Sequence, residues 1–154
     1  MKRFQFRLER LLNIREHHER EWEVRFAQAS RICNDLEGKI NGLSQERAVT
    51  IQQAGVPTGE TEPLDVGGLL AREHYLVYLD RRASELTRTL AAREIERDEV
   101  RQKLSEASRA KKVLEKLRER RSAEYGKDSL RHAAKVLDEV AGSGTVRRRL
   151  KGES

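Results

Sequence analysis

GVPTGETEPLDVGG, residues 55–68, decides how the rest of the chain is read. Both prolines of the sequence, Pro57 and Pro63, fall within it, as do Gly55, Gly59, Gly67 and Gly68. Proline removes a helical donor and glycine forfeits backbone entropy, so their concentration marks a chain reversal. Upstream, residues 4 to 54 contain only Gly38 and Gly42, and downstream, residues 69 to 141 contain only Gly126. An isolated glycine costs a helix about 1 kcal/mol against alanine, which a long helix absorbs. The reading is a helix over about 4–54, a loop over 55–68, a helix over about 69–141 and a flexible basic tail over 142–154. The tail is placed where Gly142-Ser143-Gly144 precedes TVRRRLKGES.

Helices of these lengths extend roughly 75 and 110 Å at about 1.5 Å per residue, and they need a partner helix. Alternating steps of three and four residues expose the seam of such a pair. In the first helix the steps land on Leu8, Leu12, Arg15, Glu19, Trp22, Phe26, Ala29, Cys33, Leu36, Ile40 and Leu43. In the second they land on Leu76, Leu79, Ala83, Leu86, Leu90, Arg93, Arg97, Val100, Leu104, Ala107, Lys111 and Leu114. Because the chain reverses at 55–68, the pair is antiparallel and facing position numbers add to a constant. A value of 122 or 123 sets Leu8 against Leu114, Trp22 against Val100, Cys33 against Leu90, Leu36 against Leu86, Ile40 against Ala83 and Leu43 against Leu79. The expected fold is therefore all-α, one antiparallel coiled-coil hairpin over 1–154. Its core is Trp22, Phe26, Cys33, Leu36, Ile40, Leu43, Leu86, Leu90, Val100 and Leu104. A parallel homodimer needs a continuous helix through Glu60, Glu62 and two prolines, which disfavours it. In this register Phe4 lies near Glu119, so residues from about 120 to 141 reach past the first helix.

Composition agrees with a thin core. Charged residues make up 38% of the chain and aromatic residues 5%, too polar a balance for a compact globule. The apolar residues keep helical spacing, which a disordered tail has no reason to do. No run of 18 apolar residues is present, so no membrane-spanning helix is expected. The Arg-rich start MKRFQFRLERLL is followed by Glu16, Glu19, Glu21 and Glu23, which argues against a transit peptide and for a cytoplasmic chain.

Few residues invite chemistry. His17 and His18 adjoin Glu16 and Glu19, but neighbouring helical positions point about 100° apart and do not converge on one metal ion. Cys33, the only cysteine, sits at a seam position where it acts as a small hydrophobe. No phosphate loop or nucleophile elbow is present. The expectation is a non-enzymatic protein without metal, cofactor or small-molecule substrate, acting by binding proteins.

Charge and aromatic placement narrow the partners. Residues 55–68 carry three acids and no base, whereas residues 109–127 carry eight bases and three acids. An acidic protein socket suits that basic stretch. Interleaved glutamates and few aromatics disfavour nucleic acid. Near the start of the second helix, Tyr75 and Tyr78 flank Leu76 and Leu79 and supply more apolar surface than one stripe buries, a docking surface in prospect.

The opening FQFRLERLLNIREHHEREWE, with VLEKLRERRSAEY and KVLDEVA further on, resembles the flagellar export protein family FliJ over nearly the whole chain. That resemblance implies a hairpin like the central shaft of rotary ATPases, serving flagellum biogenesis, motility and chemotaxis. It implies three partners: the hexameric flagellar export ATPase, the transmembrane export gate protein and export chaperones. It places the protein in the cytoplasm, peripherally associated with the inner membrane at the flagellar base. The ring-binding end it implies is Phe4, Phe6, Arg7, Leu8, Leu11, Arg15, Lys116, Arg118, Arg120, Arg121 and Tyr125, and the gate-binding surface is Tyr75, Tyr78 and Leu79. Two alternatives are the stalk of a non-flagellar type III secretion system, and a basic coiled-coil scaffold for nucleic acid or cytoskeleton.

Overall fold

The computed structural model describes residues 3–54, 63 and 65–152. Two helices form: α1, Glu9–Ala54, and α2, Val66–Gly152. No strand occurs among the described residues. The helices pack against each other as an antiparallel all-α hairpin. The chain divides into two compact units, Met1–Glu19 with Ala107–Ser154, and Arg20–Glu106.

In the first unit the direction of pairing is fixed by three ties. Phe4 packs on Tyr125, Arg118 meets Glu9 and Lys111 meets Glu19. Position numbers fall on one helix as they rise on the other. Leu12, Ala107 and Leu114 are buried between the helices. The register differs from the expected one. A constant of 122 or 123 places Glu19 opposite residue 103 or 104 and Glu9 opposite 113 or 114, yet Glu19 meets Lys111 and Glu9 meets Arg118. Phe4 packs on Tyr125 while also bordering a groove with Glu119. The offset in this unit is therefore about four to eight residues, one to two helical turns. A shift of one heptad, within that range, returns every seam position to the seam, so apolar spacing alone does not distinguish the registers.

In the second unit Arg47 meets Asp80 at 2.7 Å, and the Tyr75 hydroxyl donates to the Glu46 carboxylate. Cys33, Leu79 and Leu86 are buried. Trp22, Phe26, Leu36, Ile40, Leu43, Leu90, Val100 and Leu104 are half-buried. A seam between only two helices leaves its side chains open at the flanks, which is why so many stop at partial cover. The Arg25 guanidinium lies 4.5 Å over the Trp22 ring and covers part of what the second helix does not.

Helix boundaries differ from the sequence reading in three places. α1 begins at Glu9 rather than near residue 4. Residues 3–8 offer no Ser, Thr, Asp or Asn to cap a helix, and the Glu9 amide donates to the Phe6 carbonyl to close a turn instead. α2 begins at Val66, with Gly67 and Gly68 inside its first turn. Asp65 is its N-cap: Oδ1 accepts from the Gly68 amide at 3.0 Å. A Cβ on residue 68 collides with that carboxylate, so glycine there serves close approach rather than helix breaking. At the other end α2 runs through Gly142 and Gly144 to Gly152, where a flexible tail was expected. Extending an existing helix costs far less than starting one, and the following arginines are good helix formers.

Candidate protein-docking surfaces

Residues 3–6 precede the helix without regular structure, and alternation of Phe4 and Phe6 lets both rings be half-buried. The Phe4 ring lies 5.6 Å from the Tyr125 ring, tilted at 47°. This clasp is tied again about two turns away along α2, where Arg118 meets Glu9 at 3.5 Å. The clasp shapes a groove of about 900 Å³ lined by residues that include Phe4, Phe6, Arg7, Arg121 and Tyr125. Arg3 lines this groove and a second one of about 530 Å³, which adds Arg10 and Arg118. The result is an aromatic floor with an arginine rim. Glu9 and Glu124 engage Arg118 and Arg121, so the rim presents charge that is partly compensated and well oriented.

The expected ring-binding residues do not all meet there. Phe4, Phe6, Arg7, Leu8, Arg118, Arg121 and Tyr125 surround the clasp. Leu11 and Arg15 are exposed on α1, because the seam passes through Leu12, Glu16 and Glu19 instead. Arg15 is thus exposed where seam stepping placed it inside, and Glu16 is half-buried. Lys116 and Arg120, four apart on α2, point away from the face that carries Leu114, Arg118 and Tyr125. Arg3, Arg10, Glu9 and Ile14 were missed. Ile14 is 63% exposed on a surface that continues from Leu11.

Below the clasp, Glu19 is 8% exposed and its carboxylate lies 2.5 Å from the Lys111 ammonium. The hydrogen bond from Lys111 holds the Glu19 carboxyl below its ordinary value, with help from Ser108, against burial that pushes it up. The same bond raises the Lys111 ammonium above its ordinary value.

In the second unit the Tyr75 and Tyr78 rings stack 6.2 Å apart at 19°. Both are exposed, as are Leu69, Leu70 and Val77. Leu79 was expected on this surface, but it is 1% exposed and lies in the seam. The Tyr75 hydroxyl, donating to Glu46, has its ionisation raised above the ordinary tyrosine value by that bond. Arg93, expected in the seam, is exposed and pairs with Glu96, while Glu94 is half-buried.

Among the described residues no three of His, Cys, Asp and Glu gather as metal ligands, and no helix is long and apolar enough to cross a membrane. No curated protein and no solved structure matches the chain. The family model described as the flagellar FliJ protein matches residues 4–150. With that much of its 154 residues matched, the chain belongs to the flagellar FliJ family, a non-catalytic component of the flagellar type III protein export apparatus.

Proposed function

We propose that this protein is the central stalk of the hexameric flagellar export ATPase, engaging the ring through the clasp and the export gate through the tyrosine surface. The observation that carries the reading is the clasp itself. Phe4 on Tyr125 supplies an aromatic anchor, and Arg3, Arg7, Arg10, Arg118 and Arg121 surround it. Aromatic and arginine residues dominate the energetics of protein interfaces, and arginine suits carboxylates on an acidic annulus. The stacked Tyr75 and Tyr78 supply a separate surface for the gate protein, on a stretch of α2 that also exposes Leu70 and Val77. Export chaperones are the third class of partner. The protein has no catalytic role in this reading, and it works in the cytoplasm, held at the inner membrane by its partners.

The test is a pair of binding assays on the full chain. Phe4→Ala with Arg121→Glu is expected to lose the purified export ATPase and keep the gate protein's cytoplasmic domain. Tyr75→Ala with Tyr78→Ala is expected to do the reverse. Loss of both partners by either variant, with helix content intact, contradicts the division.

A further inference from the structure

We propose that the Glu19–Lys111 pair is a register lock, which holds α1 and α2 in the one alignment that closes the Phe4–Tyr125 clasp. Among the described residues Glu19 is the only charged one that is buried. Its carboxylate meets the Lys111 ammonium at 2.5 Å and accepts from the Ser108 hydroxyl, three positions earlier on α2. Two groups of one helix thus grip a single side chain of the other. A buried ion pair adds little to stability, because taking both charges out of water offsets their attraction, but breaking it strands a charge. A polar seam position of this kind fixes register at a cost in stability.

The other contacts of this unit leave the alignment open. Leu12, Ala107 and Leu114 supply its buried apolar surface, and a slide of one heptad brings seam positions back to the seam. Arg118 and Glu9 pair with both side chains about half exposed, where an ion pair is worth little. A slide of seven residues in one direction puts Leu104 where Lys111 stood beside Glu19, and Leu12 where Glu19 stood beside Lys111. Both charges then face apolar side chains. In the other direction Arg118 takes the place of Lys111 and is lost to Glu9, while Phe26 takes the place of Glu19. Only the observed alignment pairs both members. Seven residues are about 10 Å of helix, enough to carry the Phe4 ring off the Tyr125 ring that it now meets at 5.6 Å. The clasp therefore depends on a pair that touches neither of its rings.

The test reads alignment separately from stability. Spin labels on Asn13→Cys and Leu130→Cys, both exposed positions, in a full-length Cys33→Ser chain report the distance between the helices by double electron–electron resonance. With the native pair one distance is expected. Glu19→Leu with Lys111→Leu is expected to add a second population, displaced by about 10 Å, while its stability in urea stays near that of the native pair. That population is expected to exceed about one tenth of the chains, a preference reduced to tenfold or less. The exchanged pair, Glu19→Lys with Lys111→Glu, is expected to return the single distance. A single distance in the leucine variant, with helix content intact, overturns the proposal. So does a second distance that persists in the exchanged pair. A second distance that fades when labelled chain is diluted with unlabelled chain lies between two molecules and also contradicts it. Glu19→Gln with Lys111→Met removes both charges at nearly constant shape; read the same way, it decides the matter if the leucine variant does not fold.

Discussion

Glu19 and Lys111 face each other in the seam of the hairpin as a direct ion pair, with the carboxylate 8% exposed and the two charged groups 2.5 Å apart. Removing one member of such a pair leaves the other without its strongest partner, while replacing both with apolar side chains leaves nothing unsatisfied. Glu19→Ala is therefore expected to destabilise the hairpin by about 2 kcal/mol, the scale of a hydrogen bond to a charged group. Glu19→Leu with Lys111→Leu is expected to recover most of that. Urea denaturation followed by circular dichroism reads both.

The same pair sets a pH dependence. The Glu19 carboxyl is lowered from 4.5 in the folded chain, so the unfolded chain binds more protons in the window below 4.5. Its stabilisation is present above that value and is lost as pH falls through the lower folded value. Lys111 is raised from 10.5, so its contribution is present below 10.5 and is lost as pH rises beyond it. Thermal melts of wild type and Glu19→Gln are expected to converge in acid and to separate near neutrality.

Tyr75 is the second titration probe. Its phenol, raised from 10.0 by donating to Glu46, favours the folded chain below that value and ceases to as pH climbs through its folded value. An ultraviolet titration is expected to show Tyr75 ionising late. Glu46→Gln removes the accepting charge and is expected to bring Tyr75 back toward the ordinary tyrosine value.

The start of α2 depends on a single side chain. Asp65→Ala removes the acceptor for the Gly68 amide and is expected to cost about 1 kcal/mol, whereas Asp65→Asn or Asp65→Ser retains a capping oxygen and costs less. Hydrogen exchange at residues 66–69 is expected to accelerate in the alanine variant and to stay slow in the serine one.

Register is open to direct measurement. In a Cys33→Ser background, cysteines at 9 and 118 are expected to join within one chain through a short dithiol crosslinker, because the side chains there meet across the helices. Cysteines at 8 and 114, opposed in the register expected from the apolar spacing, are expected to join poorly. The reverse ranking restores that register.

Pairing was legible because breakers are concentrated at 55–68 and apolar residues keep a coiled-coil period on either side of them. The register was not, since a shift of one heptad maps Leu12 and Leu114 back onto seam positions. The signal that resolves it was present: Glu19 and Lys111 are opposite charges at seam positions and belong opposite each other. Strict three-four stepping also drifts against the 3.6-residue turn by about 20° per heptad. That drift is why Glu16 and Glu94 are half-buried where Arg15 and Arg93 had been placed. Leu79 was named for both seam and surface, and its burial shows that one residue does not serve both. The clasp was only half legible. Phe4 and Tyr125 stood out as aromatics in a chain with few, but that residues 3–6 leave the helix to bring them together depends on the missing cap.

The most direct test of the stalk reading is ATP turnover by the purified export ATPase, titrated with wild-type chain and with Arg118→Glu, Arg121→Glu. Glutamate is as good a helix former as arginine, so the hairpin is expected to persist. A lost charge contact at a buried interface costs about 2 kcal/mol or more, and the reversed charges then repel an acidic annulus. The account predicts that wild type stimulates turnover in a salt-sensitive manner and that the double reversal does so only weakly. Equal stimulation by the two contradicts it.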